Sequence, residues 1–340
     1  MSTYPLRGRK VLVTGGNGFL GSALVRALLR SGSHVRSLDN DSRGSRDKLG
    51  AAADTVDVVS ADIRDAAAVR AAVAGMDCVC HLAYVNGTEY FYTKPELVLE
   101  VAVKGMINVI DACLAHNVRT LVLASSSEVY QSASTIPTDE TVPLVVPDVM
   151  NPRYSYGGGK IISELMALNY GLNRFDRVLI FRPHNVYGPD MGWEHVIPQF
   201  ARRMTELKDD PRDPVPFPIQ GTGNETRSFV YVDDFTDGLM TVLEKGEHRN
   251  IYNIGSTEEV RVADLVRRIG KYFNREVVVV PGELAKGGTL RRCPDIRKLA
   301  ALGYQPKMLL SEGLPPTVKW YIENAARAPK RSRPQEVSLT

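Results

Sequence analysis

Cysteine is scarce in this chain, four in 340 residues. Cys78, Cys80, Cys113 and Cys293 form no Cys-x-x-Cys pair and no metal-ligand spacing, and three of them fall inside apolar runs. A disulfide framework and a thiolate metal site are excluded, and reduced, buried thiols are expected. Charge of one sign is also missing, because the formal net charge of +3 is too small to argue for a nucleic-acid partner. No run of about 18 apolar residues occurs, and the opening MSTYPLRGRK has no apolar signal core. The expectation is a cytoplasmic protein without a membrane partner. The basic end with Lys330, Arg331 and Arg333 reads as a solvated, disordered tail over 326–340.

What is present is an ordinary globular composition, 44% hydrophobic and 24% charged, on a chain long enough for a large core and a smaller lobe. Short β-branched runs alternate with amphipathic stretches. Segments 11–14, 34–38, 56–60, 78–82, 120–124 and 178–181 read as strands. Segments 19–31, 66–73 and 95–116 read as helices, as does a stretch starting near Ser155. Strands separated by helices of this length build βαβ units, so the predicted fold is α/β, a Rossmann-like doubly wound parallel sheet. After Pro183 prolines multiply, and PRDPVPFP (211–218) reads as a surface loop. We expect a nucleotide-binding domain over 7–183 with returns near 229–255. A smaller, discontinuous C-terminal substrate lobe is expected from 184–228 and 256–325.

The first motif is TGGNGFLG (14–21), directly behind the apolar run 11–13. Gly15, Gly16, Gly18 and Gly21 suit a backbone that must approach phosphate and a helix that must approach a strand. The helix beginning near Phe19 then offers unpaired N–H groups and its positive dipole end to a pyrophosphate. Asp39 closes the second strand at about the usual 20-residue offset and can accept both ribose hydroxyls of NAD. Arg43 nearby is the kind of residue that hosts the extra phosphate of NADP, but Asp39 favours NAD. Asp62, just past the third strand, either reaches the adenine edge or caps the next helix.

The second motif is the pair Tyr156 and Lys160, one helical turn apart in YGGGK. A tyrosine of ordinary pKa, about 10, stays protonated at neutral pH. An ammonium at about 4 Å in an effective dielectric near 20 contributes roughly 4 kcal/mol, or about 3 pKa units. That would bring the phenol to the range of a general base. ASSSEVY (124–130) follows a strand at the carboxyl edge of the sheet, so Ser126 can share a substrate oxygen with Tyr156.

With these motifs in order, the chain resembles the extended short-chain dehydrogenase/reductases that act on nucleotide sugars. The resemblance runs from Gly8 to about Tyr321 and takes in TGGNGFLG, LDN (38–40), ADIRD (61–65), HLA (81–83), SSSEVY, YGGGK, RPHNVYGP (182–189), TRSFVYVDD (226–234) and RRCPDI (291–296). It implies NAD contacts at Gly15, Gly18, Phe19, Leu20, Gly21, Asp39, Asn40, Asp62, Ile63, Leu82, Ala83, Tyr156 and Lys160. It implies a catalytic Ser126, Tyr156 and Lys160, and nucleotide-sugar contacts at Ser126, Asn185, Arg227 and Arg292, with Arg291 competing for the last. It implies no metal. It also implies a homodimer through the two long helices, with Leu97, Val101, Ile161, Leu165 and Leu168 at helical spacing.

Some positions depart from the family pattern. Ala102 stands where asparagine is common, Tyr84 where a small residue is common, and Gly157, Gly158 and Gly159 are poor helix formers. His184 and the segment 192–195 either shape the sugar pocket or pack. The resemblance implies oxidation of a sugar at C4, followed by one of three branches: 4-epimerisation, 4,6-dehydration or decarboxylation. Glu128 bears on the choice, because dehydratases of the family carry Asp-Glu after the catalytic residue and decarboxylases Ser-Glu. Here Ser127 precedes Glu128, so the acid for a leaving 6-hydroxyl is missing. An arginine cluster for a uronate is not legible. The 4-epimerase is favoured, with a dehydratase or a decarboxylase using Glu128, or a non-catalytic NAD-binding regulator, as alternatives.

Overall fold

The β-branched runs of the first half become strands covered on both faces. The computed structural model describes residues 4–283 and 287–329, so the expected tail lies outside the described residues from 330 onward. β1 (Lys10–Thr14), β2 (His34–Asp39), β3 (Asp57–Ser60), β4 (Cys78–His81), β5 (Thr120–Ala124) and β6 (Arg177–Pro183) join the strand Asn250–Ile254 in one sheet. Every pairing in it is parallel. The order is Asn250–Ile254, β6, β5, β4, β1, β2, β3, so the winding reverses beside β1. A crevice opens at the carboxyl ends of the strands at that reversal.

Alternation along each strand feeds two cores. Val11 and Val13 pack with Leu24, Leu28, Phe235 and Leu239 on one face, beside α1 (Phe19–Arg30). Leu12, Val79 and Leu121 pack on the other with residues of α2 (Ala66–Val73), α4 (Pro95–Ala115) and α5 (Tyr154–Tyr170). The short α3 (Thr88–Thr93) precedes α4. A third core joins Phe200, Phe217, Leu265 and Leu314 in the later half. Leu299 and Tyr304, within 256–325, pack instead with Phe235 and Leu239 under the main sheet.

One loop expectation is corrected. Val215–Pro218 is a strand, paired in parallel with Val277–Val280. Val215 and Phe217 turn inward and are buried. A two-stranded sheet leaves an edge on which proline needs to donate no ladder bond, so the prolines hid a V-x-F alternation.

Two of the three glycines of α5 also have a packing reason. A Cβ at Gly157 would lie 2.7 Å from Gln131 Nε2, and one at Gly159 would strike the Tyr84 hydroxyl and sit 2.7 Å from the Ala102 Cβ. The helix holds through its buried face despite weak propensity.

Candidate active site

At the crevice, Gly15 takes φ 72°, and a Cβ there would lie 2.7 Å from Ala83 N. The turn therefore lies flat against the end of β4. Thr14 Oγ1 accepts from Ala83 N at 3.2 Å and meets His81 Nδ1 at 2.8 Å, tying β1 to β4. Burial pushes His81 down to about 3, so the imidazole stays neutral. The N-terminus of α1 has no side-chain cap and no acidic residue in its first turn, which leaves its positive end available to an anion.

Asp39, at the end of β2, accepts from Asn17 N and Asp41 N, each at 3.0 Å. Its burial raises the carboxyl pKa, with those backbone bonds opposing. Arg43 is not held against Asp39. It pairs with Glu194 at 3.1 Å and lies over the Tyr90 ring. Asp62 is bound by Arg64 and accepts from Asn40 Nδ2 at 3.0 Å, and these bonds, Arg64 foremost, hold its carboxyl down at about 2. The helix-cap alternative for Asp62 is corrected: Asp65 caps α2, accepting from Ala67 N and Ala68 N.

Ser126 caps the short turn Ser127–Tyr130, accepting from Glu128 N at 3.1 Å. Tyr156 is buried, stacked on Phe91 at 4.9 Å and edged by Tyr84 at 5.0 Å. Burial pushes its phenol up to about 12, with a hydrogen bond from Ser126 opposing. Lys160 is also buried, and burial pulls its ammonium down to about 7. The depression of Tyr156 by Lys160 expected from the spacing is absent in this arrangement. Nζ donates to the Ala124 carbonyl at 2.6 Å, and Lys160 is not among the charges that act on the Tyr156 phenol.

Glu128 Oε1 accepts from Arg292 Nη1 at 2.5 Å, and Arg153 Nη2 stands 4.0 Å from Oε2. Burial pushes this carboxyl up, but Arg292, Arg153 and Arg227 together hold it below its ordinary value. Arg227 donates to the Thr226 and Thr289 carbonyls, and burial beside Arg292 brings it down to about 10. Arg291 faces away in a bidentate pair with Glu259, so Arg292 alone of the two lines the cleft. Asn185, at φ 40°, donates to the Ser228 carbonyl at 2.8 Å.

One cleft of about 820 Å³ gathers Gly15, Gly18, Phe19, Leu20, Gly21, Asp39, Asn40, Asp62, Ile63, Leu82, Ala83, Ser126, Glu128, Tyr156, Lys160, Asn185, Arg227 and Arg292. Its size suits a dinucleotide with part of a second ligand. Sequence reasoning missed Arg153, Phe91 and the contact of Arg43 with Glu194. The signal for Arg153 was its place three residues before Tyr156, on the same helical face. His195 also lines the cleft, whereas His184 is buried behind it against Asn253.

The model of the NAD dependent epimerase/dehydratase family matches residues 11–255. The chain belongs to that family. It is 32% identical over 336 residues to a dTDP-glucose 4,6-dehydratase of Streptomyces antibioticus, covering 95% of this chain and 96% of that one. It is 28% identical over 325 residues to a UDP-N-acetyl-alpha-D-glucosaminuronate decarboxylase of Bacillus cytotoxicus, covering 93% and 98%. Its fold superposes on a Thermus thermophilus UDP-glucose 4-epimerase in complex with NAD with a TM-score of 0.79 and 27% identity, covering 92% and 99%. Three reactions thus occur among relatives of similar distance, and NAD is the cofactor of the family. The cleft fits it: a Cβ-free turn, an open helix N-terminus and a buried carboxylate stand in the order an NAD requires.

Proposed function

We propose that this chain is an NAD-dependent nucleotide-sugar 4-epimerase working through a transient 4-keto sugar. Bound NAD supplies the hydride acceptor for C4. The glycine turn and the N-terminus of α1 hold its pyrophosphate, and Asp39 its ribose hydroxyls. Asn40, Asp62 and Ile63 face the adenine, while Leu82, Ala83 and Lys160 lie deeper. Tyr156 takes the proton of the sugar 4-hydroxyl and later returns it, and Ser126 hydrogen-bonds the same oxygen. For its charge to favour the phenolate, Lys160 must turn from the Ala124 carbonyl toward the phenol in the reacting complex. Asn185, Arg227 and Arg292 hold the nucleotide-sugar diphosphate.

The observation that carries this reading is the engagement of Glu128 by Arg292. Dehydration needs an acid for the leaving 6-hydroxyl, yet Glu128 is clamped as a carboxylate and Ser127 precedes it. The other carboxylates lining the described cleft are also acceptors already, Asp190 to Lys48, Glu194 to Arg43 and Glu225 to Thr222 and Gly223 among them. Arg153, Arg227 and Arg292 less Glu128 leave two positive charges, the number that balances a diphosphate joined to an uncharged sugar. A second reading, decarboxylation, is favoured by Arg153, whose buried Nε has no partner among the described residues and is of the chemistry to face a uronate.

The test is a panel of UDP-, GDP-, CDP- and dTDP-sugars with two variants. Tyr156→Phe is expected to lose about 10² to 10⁴ in turnover while still binding NAD. Glu128→Gln is expected to keep most of its activity, since an epimerase needs no second acid or base. Accumulated NADH and 4-keto sugar in Glu128→Gln would contradict the epimerase reading.

A further inference from the structure

Lys160 donates to the Ala124 carbonyl on one side and meets an aromatic face on another. Its Nζ lies 3.7 Å from the centroid of the Tyr84 ring, much nearer than to Tyr156. Tyr84 is itself fixed from several directions. Its ring meets Tyr156 edge to face, with an interplanar angle of 81°. Its hydroxyl donates to the Tyr156 main-chain carbonyl at 3.3 Å. That hydroxyl fills the space a side chain at position 159 would need, and the Ala102 methyl borders the same space. A tyrosine fits at position 84 because residue 159 has no Cβ and residue 102 has only one. Tyr84, Ala102 and Gly159, three of the positions that depart from the family pattern, are therefore one packing solution.

We propose that Tyr84 is a positioning residue of the catalytic pair, holding the Lys160 ammonium on its ring face and the Tyr156 ring against its edge. The negative face of an aromatic ring attracts a cation, most strongly where water is excluded. This rests on the assignment of Tyr156 and Lys160 as a pair, not on which sugar reaction follows. Among the described residues, few other ionisable groups act on Lys160. Glu164, one turn along α5, is held by Arg182 in a bidentate pair. His81, from β4, is neutral. Tyr156 stands on its own helix, and the charges of Glu128, Arg43 and Arg292 act on its phenol. Because burial brings Lys160 to about 7, its titration falls where the folded protein can be followed.

The experiment is an NMR titration of the full chain with ¹³C-labelled lysine, the Lys160 Cε signal being assigned by its loss in Lys160→Met. Tyr84→Phe keeps the ring, so the midpoint is expected to stay in place. Tyr84→Leu keeps an apolar neighbour but removes the face, so the midpoint is expected to fall by about 0.4 to 1.5 pH units. A Leu variant with an unchanged midpoint overturns the proposal. So does one whose midpoint rises toward that of free lysine, because Tyr84 would then only have excluded water. Should Tyr84→Leu not fold, fluorinated phenylalanines at position 84 weaken the ring face at nearly constant shape. The midpoint must then fall with each added fluorine, and a flat series overturns the proposal. No turnover is needed, so this result is separate from the fate of the epimerase reading.

Discussion

We propose that Asp39 carries the cofactor preference, on a single buried carboxylate whose two oxygens each accept a backbone N–H. Asp39→Ala is expected to weaken NAD binding by about 1–3 kcal/mol, the scale of a lost charged hydrogen bond, and to narrow the preference over NADP. Calorimetric titration of the folded variant measures both, and unchanged NAD affinity refutes the role. At this scale the sequence was informative about identity and weak about direction. The motif order located Ser126, Tyr156, Lys160 and Asp39, because each follows a strand or sits at a fixed helical offset. It did not reveal that Lys160 turns away from Tyr156 to Ala124, because a four-residue spacing fixes a face and not a rotamer. Nor did it reveal that Arg153 and Arg292 converge on Glu128, since those residues meet only through the tertiary fold.

Among the elements, α5 shows why propensity misleads. Three consecutive glycines argue against a helix by roughly 1 kcal/mol each, yet the segment is helical through its buried face, and at 157 and 159 its neighbours leave no room for a side chain. Gly159→Ala would gain propensity but press the added methyl on Tyr84 and Ala102. We expect a net loss of about 1–3 kcal/mol, the usual range for overpacking, read as a lower midpoint in denaturant unfolding. A variant that is more stable than the parent would show that this contact is not tight. Strands of the main sheet were legible from their β-branched runs, since both faces are buried and the runs are continuous. The strand Val215–Pro218 was not, because its prolines carry the punctuation of a loop while its alternate residues enter a core.

For the whole molecule, a parallel sheet with a crevice beside β1 is what the alternation of runs required, and the family model and solved relatives agree with it. Among the described residues, no helix is long and apolar enough to cross a membrane. The assembly state we propose, a homodimer through α4 and α5, has a surface to form it. Of the residues singled out from spacing, Leu165 is exposed, Val101 is buried, and Leu97, Ile161 and Leu168 pack partly inward. The outward apolar face is instead Leu99, Ile107, Ile162 and Leu165, each 40–56% exposed. Sedimentation of the wild type is expected to give a dimer at micromolar concentration and Leu165→Glu a folded monomer; a monomeric wild type contradicts this. The central claim concerns what becomes of the sugar, and the mass of the product formed in deuterated water tests it most directly. An epimerase reduces the ketone with the hydride it removed, so the account predicts a product of the same mass as the substrate, inverted at C4 and free of carbon-bound deuterium. Loss of water or of carbon dioxide, with deuterium fixed in the sugar, would contradict it.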